Sequence, residues 1–182
     1  MSRIGKKIIN IPSGVEVKLI GDTIQVKGSK AVLEQKLHPR VKIKMEGDSI
    51  SVEVKDKTLK TDKALWGLFR SLINNMVIGV TQGYEKKLEV NGVGFKVSLA
   101  GNKLTMNLGF SHDVNFVVPE GVACKVEKNV IILTSADKQK VGETAAQIRA
   151  LKKPDAYLGK GIKYADEVLR LKAGKTAAAK AA

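Results

Sequence analysis

The sequence predicts an α+β fold made of two tandem copies of one unit, each an antiparallel sheet covered by one helix. A basic C-terminal extension follows the second copy. Two observations lead to this prediction. An offset of 80 residues relates the two halves, and in each half short strand patterns precede a single helical pattern. We therefore expect an internal duplication, with a first α+β repeat over residues 1–82 and a second repeat with a basic tail over residues 83–182.

The internal repeat aligns without a gap. Identical pairs at the offset of 80 are Leu19/Leu99, Gly21/Gly101 and Pro39/Pro119. Apolar residues that match in kind include Val17/Val97, Ile24/Leu104, Val26/Met106, Ile50/Val130, Val52/Ile132 and Leu68/Ile148. Chance supplies apolar matches easily, whereas a shared turn and a shared proline in register are harder to obtain. The two halves should therefore fold alike.

Each copy begins with two predicted hairpins. Alternating apolar residues flank Gly21-Asp22 and Gly47-Asp48 in the first copy, and glycine tolerates the positive φ of such two-residue turns. The corresponding turns in the second copy are Gly101-Asn102 and Lys128-Asn129. Four hairpins of this kind predict antiparallel sheets in both copies.

One amphipathic helix closes each copy. Apolar residues at i, i+3, i+4 and i+7 predict the buried stripe of the first helix: Leu65, Leu68, Phe69, Leu72, Ile73 and Met76. Val141, Ala145 and Ile148 predict a weaker stripe in the second. Residues 79–83 are the expected seam between the copies.

The charge of the chain is large and uneven. Net charge is +14 and the isoelectric point is about 9.8. Residues 1–82 carry +7 (15 Lys+Arg, 8 Asp+Glu), residues 83–136 carry +1 (6 and 5), and residues 137–182 carry +6 (11 and 5). Such an excess favours a polyanionic partner: nucleic acid, an anionic membrane surface or a polyanionic glycan.

Catalytic and metal sites are not expected. The chain has two histidines and one cysteine, too few for an ordinary zinc site. Cys124 alternates with apolar residues and should be a core residue. Ser111, His112 and Asp113 are sequence neighbours, whereas triad members come from separate elements. We expect no enzyme activity, no catalytic or metal-ligating residue and no cofactor.

A membrane partner is not expected either. No apolar run approaches the ~18 residues of a transmembrane helix. Near the N-terminus, Asn10 and Pro12 interrupt the apolar stretch too early for a signal peptide. A single cysteine suits a reducing compartment. The predicted location is cytoplasmic.

Cations lie on one face of each predicted helix. Lys60, Lys63, Gly67, Arg70 and Asn74 lie opposite the first apolar stripe. A glycine inside a helix costs about 1 kcal/mol relative to alanine, so Gly67 indicates close approach of a partner, but an ordinary solvated face explains the pattern equally well.

The second helix places small residues between its cations, in the series Lys138, Gly142, Ala146, Arg149 and Lys153. Small residues let a bulky partner lie close. RNA backbone fits this face, and another protein element fits it nearly as well.

The segment of residues 154–164 is the sharpest local signal. Gly159 and Gly161 free the backbone, Lys160 supplies phosphate charge, and tyrosines can stack on bases. It is not a nucleotide-binding P-loop, because the Gly-x-x-x-x-Gly-Lys-Ser/Thr pattern is absent. The predicted RNA-binding residues are Lys60, Lys63, Arg70, Lys138, Arg149, Lys152, Lys153, Tyr157, Lys160, Lys163, Tyr164, Arg170, Lys172 and Lys175.

Several short motifs also occur in order along nearly the whole chain. They are Arg3-Ile-Gly5-Lys6-Lys7, Ile11-Pro12-Ser-Gly14-Val15, Gly92-Val-Gly94-Phe95, Gly109-Phe-Ser111-His112, Asp137-Lys138-Gln139 and residues 154–164. Together they resemble the bacterial large-subunit ribosomal protein L-six family. Relative to the usual signature, Leu158 replaces a lysine and Lys163 replaces an arginine, so one cation is lost and one forked donor becomes a point charge.

The resemblance implies a duplicated α+β fold that binds large-subunit rRNA. It implies a location in the ribosome near the stalk base and the sarcin–ricin loop. The implied partners are rRNA and neighbouring large-subunit ribosomal proteins, with translational GTPases as a further candidate. The alternatives are a nucleic-acid enzyme, which would need clustered carboxylates for metal ions, and an extracellular or membrane-associated polyanion-binding protein.

Overall fold

The computed structural model describes residues 2–174 and divides into two compact units. Within the described range, the first comprises residues 2–84 with Ala136–Lys138, and the second comprises Glu85–Ser135 with residues 139–174. Each unit combines antiparallel sheets with one helix, so the predicted α+β class is confirmed. The division after residue 82 remains our proposal for the repeat boundary.

The first unit contains two three-stranded antiparallel sheets. Its elements are β1 (Ile9–Asn10), β2 (Glu16–Ile20), β3 (Thr23–Lys27), β4 (Val32–Lys36), β5 (Val41–Glu46), β6 (Ser49–Val54) and α1 (Lys60–Thr81). The sheet orders are β2-β3-β4 and β1-β6-β5. Ile20 pairs with Thr23, so Gly21 and Asp22 form the predicted two-residue turn, with Gly21 at φ +55°.

The second unit repeats this plan with an added strand. Its elements are β7 (Tyr84–Asn91), β8 (Lys96–Ala100), β9 (Lys103–Asn107), β10 (Val114–Val117), β11 (Ala123–Glu127), β12 (Val130–Ser135), α2 (Lys138–Leu151) and β13 (Gly161–Tyr164). The sheet orders are β10-β9-β8 and β11-β12-β7-β13. Tyr84 and Lys138, the first residues of β7 and α2, are grouped with the first unit. All four predicted hairpins are present.

The buried stripe of α1 differs from the prediction at two positions. Leu68 is 50% exposed, whereas Trp66 is 4% exposed and its indole Nε1 donates to the carbonyl of Val52 at 2.6 Å. The buried line passes through Trp66, Phe69 and Ile73, and a residue two positions after Trp66 points about 200° away from it. Leu68 therefore faces outward, and its match with the fully buried Ile148 was wrong.

The repeat is not free of gaps. The Leu37 amide donates to the Asp22 carbonyl, and in the second copy the Val118 amide donates to the Asn102 carbonyl. The two donors are 81 residues apart in the sequence, whereas the two acceptors are 80 apart. The second copy therefore has one extra residue between β9 and β10. After this extra residue, Pro119 is the equivalent of His38. The His38 carbonyl accepts from the Val41 amide, and the Pro119 carbonyl accepts in the same way from the Val122 amide. The matched prolines were a coincidence.

The same shift moves the core positions of the last hairpin. Ile131 and Leu133 are buried, while Val130 and Ile132, which the gap-free alignment matched to core residues, are half-buried.

Cys124 is half-buried rather than in the core as predicted. It lies on β11, an edge strand of its sheet. Partial burial raises the pKa of its thiol. The α2 stripe of Val141, Ala145 and Ile148 is buried as predicted.

Candidate nucleic-acid interface

A compact turn connects α2 to β13 in the second unit. After α2 ends at Leu151 the chain reverses and returns as β13, antiparallel to β7. The Ile162 amide donates to the Lys152 carbonyl at 2.8 Å, and the Asp155 amide donates to the Lys160 carbonyl at 2.9 Å. These bonds close the turn at both ends and fix the backbone of residues 155–160.

The Asp155 side chain stabilises this turn by bonding to its backbone. Its carboxylate accepts hydrogen bonds from the backbone amides of Tyr157 at 3.1 Å and Leu158 at 2.9 Å. The Leu158 and Tyr157 amides hold the pKa of this carboxyl below its ordinary value. The carboxylate is thus engaged with the turn itself, and sequence reasoning did not identify it as part of the site.

Two glycines make the turn possible. Gly159 is buried at φ +68°, and Gly161 has φ +146°. A Cβ on Gly161 would lie 2.7 Å from the Lys153 carbonyl oxygen and from backbone atoms of Pro154. The positive φ therefore favours glycine at position 159, and the close packing of the chain on itself requires it at position 161.

A forked ion pair attaches the segment after β13 to α2. Arg149 donates from Nε to Glu167 Oε2 at 2.9 Å and from Nη2 to Oε1 at 2.5 Å. Glu167 also accepts from the Tyr164 amide at 3.2 Å. The Arg149 guanidinium lowers the pKa of the Glu167 carboxyl, and the carboxylate in turn raises the pKa of Arg149. Arg149, predicted as an RNA contact, here orders the protein.

Four other predicted residues are also engaged within the protein. Lys163 pairs with its cross-strand neighbour Glu89, at 3.0 Å between Nζ and Oε2. The Tyr164 ring lies 5.5 Å from Lys86 Nζ and 5.7 Å from Arg149 Cζ. The remaining engaged residues are Lys152, 4.3 Å from the centre of the Phe110 ring, and Lys138, 3.4 Å from Asn75 Oδ1 and 5.5 Å from the centre of the Tyr84 ring.

Five predicted residues of the second unit are exposed: Lys153, Tyr157, Lys160, Arg170 and Lys172. Tyr157 is 55% exposed. Within residues 2–174, no acidic side chain lies within ion-pair distance of the four cations. Lys175 lies outside the described residues.

In the first unit, the group that approaches Gly67 of α1 closely is part of this chain. A Cβ there would lie 3.3 Å from the Ser2 hydroxyl, so the close approach is that of the N-terminal segment of this chain. Arg70 serves the same contact, donating to the carbonyls of Lys7 at 3.1 Å and Ile8 at 3.4 Å. Lys60 is exposed and Lys63 half-exposed on this helix.

Metal-ligand groups and membrane-spanning helices were sought among the described residues. Among residues 2–174, no group of three or more His, Cys, Asp or Glu side chains is arranged to hold a metal ion. No helix in the same range has the length and apolar character needed to cross a membrane. The candidate site consists of the exposed cations and tyrosine of the second unit, Lys153, Tyr157, Lys160, Arg170 and Lys172.

This chain is similar in sequence to known proteins over nearly its whole length. The family model described as ribosomal protein L6 matches residues 11–83 and again residues 91–165. A large ribosomal subunit protein uL6 from Caldicellulosiruptor saccharolyticus is 53% identical, over 96% of each chain. The uL6 proteins of Desulforapulum autotrophicum and a Sulfurovum species are 50% and 49% identical, over 98% and 97% of this chain and 99% of their own. The paired matches agree with the predicted duplication.

Proposed function

This chain belongs to the ribosomal protein L6 family, and from that premise we propose that it is a structural constituent of the large ribosomal subunit in the cytoplasm. It binds large-subunit rRNA through the exposed cations around the α2–β13 turn and contacts neighbouring ribosomal proteins. Its role is to hold RNA in position, in accord with the predicted absence of enzyme activity.

Lys160 is the observation that carries the RNA-binding proposal. It stands between two glycines on a turn whose backbone is fixed by hydrogen bonds, and its side chain is exposed. A lysine held in this way presents a charge without the entropy cost of ordering a mobile loop. Both flanking glycines are buried, so the exposed group between them is the Lys160 side chain.

The surrounding charges support the same surface. The Lys172 amide donates to the Ala156 carbonyl at 2.8 Å, which places this cation beside the turn. Glu167 is paired with Arg149, whereas Asp155 keeps its negative charge; the Leu158 and Tyr157 amides, and to a smaller degree Lys160, lower its pKa. The four exposed cations outnumber this one carboxylate, and an excess of positive charge on a rigid turn favours phosphate binding.

A comparison of Lys160→Ala with Lys163→Ala tests the proposal. Each variant removes one charge, but Lys163 is already paired with Glu89. We expect Lys160→Ala to flatten the slope of log K against log salt by about 0.9, the contribution of one duplex phosphate. Lys163→Ala should change the slope much less. The measurement is filter binding of the full-length chain to transcribed large-subunit rRNA at several salt concentrations.

Because both variants lose one positive charge, the comparison controls for nonspecific attraction between the protein and RNA. Thermal unfolding of both variants should show that the fold is retained. If Lys160→Ala and the wild type gave the same slope, the turn would not be a phosphate contact and the proposal would be wrong.

We also propose, from the family resemblance, that the chain lies near the stalk base and the sarcin–ricin loop, with translational GTPases as a further partner. Cys124 is the only cysteine, so a Cys124→Ala, Lys172→Cys variant can carry one tethered iron chelate. In reconstituted large subunits, hydroxyl radicals from this tether should cleave rRNA strands of the sarcin–ricin loop or stalk base. The Cys124→Ala protein alone is the control, and cleavage confined to other rRNA regions would contradict the location.

A further inference from the structure

An exposed pair of aromatic rings lies on the loop between β9 and β10. Phe110 is 40% exposed, and its ring stacks with that of the exposed His112 at 6.1 Å between centroids and 18° between planes. Aromatics make up only 4% of this chain, and its core is built without these two rings. An exposed aromatic pair of this kind leaves apolar surface for a flat partner.

The loop that carries the pair is well ordered by its own contacts. Gly109 has φ +73°, and a Cβ there would lie 3.1 Å from Cε1 of Phe95, so the Phe95 ring supports this glycine closely. The Gly109 amide donates to Asn107 Oδ1 at 3.4 Å, and Asn107 Nδ2 donates to Asp113 Oδ1 at 3.2 Å. The rings are therefore presented on a preformed loop.

A cation completes the cluster. Lys152 Nζ lies 4.3 Å from the centre of the Phe110 ring. The carbonyl of the same residue accepts the amide of Ile162 at the start of β13, so Lys152 links the aromatic loop to the α2–β13 turn. An exposed ring, a stacked imidazole and a lysine together fit a nucleotide, whose base stacks and whose phosphate is charged.

The internal duplication supplies a comparison within the chain. The equivalent loop of the first copy contains Gly28, Ser29, Lys30 and Ala31, with no aromatic residue. The same β-meander therefore folds without the ring pair. The loop of the second copy differs from it by the aromatic residues and by one extra residue, so the fold of the loop does not require the rings.

We propose that Phe110 and His112 form a stacking site for an unpaired base of rRNA, with Lys152 on the adjoining phosphate. This inference rests on the proposed RNA-binding function and extends it, because ring stacking is a contact that salt does not screen. The lysines of the α2–β13 turn position the RNA backbone, whereas the ring pair selects an unstacked nucleotide.

Ultraviolet crosslinking and salt-dependent binding of the full-length chain to transcribed large-subunit rRNA test this inference. Phe110→Leu keeps an apolar side chain but removes the ring, and it should weaken binding about five- to 150-fold at unchanged salt slope. Phe110→Tyr, which keeps the ring, should bind like the wild type. Mass spectrometry of irradiated complexes should find a nucleotide attached at Phe110 or His112.

Two results would overturn the stacking site. One is wild-type affinity of Phe110→Leu with no nucleotide crosslink in the loop, and the other is crosslinking of this loop to a neighbouring protein in reconstituted subunits. If the wild type still binds with a steep salt slope, the proposed RNA-binding function survives either result. A wild type with no RNA affinity would overturn both.

Discussion

Replacement of Gly161 by alanine should destabilise the second unit and weaken RNA binding together. The strained φ alone should cost roughly 1–3 kcal/mol, and the new Cβ would also contact backbone atoms of Lys153 and Pro154 at 2.7 Å. Backbone atoms cannot rotate away as a side chain would. For a chain of this length each kcal/mol lowers Tm by about 2–4 °C. Circular dichroism melting should show the loss, and filter binding should show reduced affinity because Lys160 is displaced.

Gly142→Ala is the matched control for this substitution. Gly142 lies inside α2 on the exposed face, and beyond the adjacent helix backbone no described atom lies within 4 Å of its ideal Cβ position. Alanine there should stabilise the helix by up to about 1 kcal/mol, because it orders at a lower entropy cost than glycine. The two variants should thus move Tm in opposite directions. A Gly161→Ala protein that melts at or above the wild-type temperature would contradict our account of the turn.

Local patterns were sufficient to predict the hairpins and the helices. The turns at Gly21-Asp22 and Gly101-Asn102 were predictable because a two-residue turn with positive φ requires particular residues at particular spacing. The α2 stripe was predictable because Val141, Ala145 and Ile148 recur at helical spacing. These features depend on residues that are close together in the sequence.

Features that depend on distant residues were not predictable. The pairing of Lys163 with Glu89 requires the register between β13 and β7, which no local pattern reveals. The role of Arg149 likewise depends on Glu167, which follows the turn. Sequence reasoning therefore listed the cations of this segment but did not separate those that order the protein from those that remain exposed.

The exposed cations can also be separated by function. Lys163, on strand β13, is paired with Glu89, whereas the exposed cations around the α2–β13 turn adjoin a fixed backbone and have no carboxylate within ion-pair distance among residues 2–174. Lys153, Lys160, Arg170 and Lys172 should thus account for much of the phosphate binding. Simultaneous replacement of all four should have a larger effect on affinity than any single substitution.

We expect a fourfold variant to flatten the slope of log K against log salt by about 3.6, at ~0.9 for each of four phosphates. The variant combines Lys153→Ala, Lys160→Ala, Arg170→Ala and Lys172→Ala. Near ~0.15 M salt, counterion release contributes roughly 1 kcal/mol per contact, so affinity for large-subunit rRNA should fall by about two to three orders of magnitude. Salt-dependent filter binding measures both quantities. Since all four side chains are exposed, the melting temperature should change little.

A second fourfold variant separates placement from net charge. Lys27, Lys36, Lys42 and Lys55 are exposed residues of the first unit, and their replacement by alanine also lowers the net charge from +14 to +10. If binding depends on the turn, this variant should keep most of the wild-type affinity and slope. If both variants weakened binding equally, the RNA would respond only to total charge, and the α2–β13 turn would have no particular role. A strong loss in the first variant and a small one in the second is the result that a phosphate-binding surface at the turn requires.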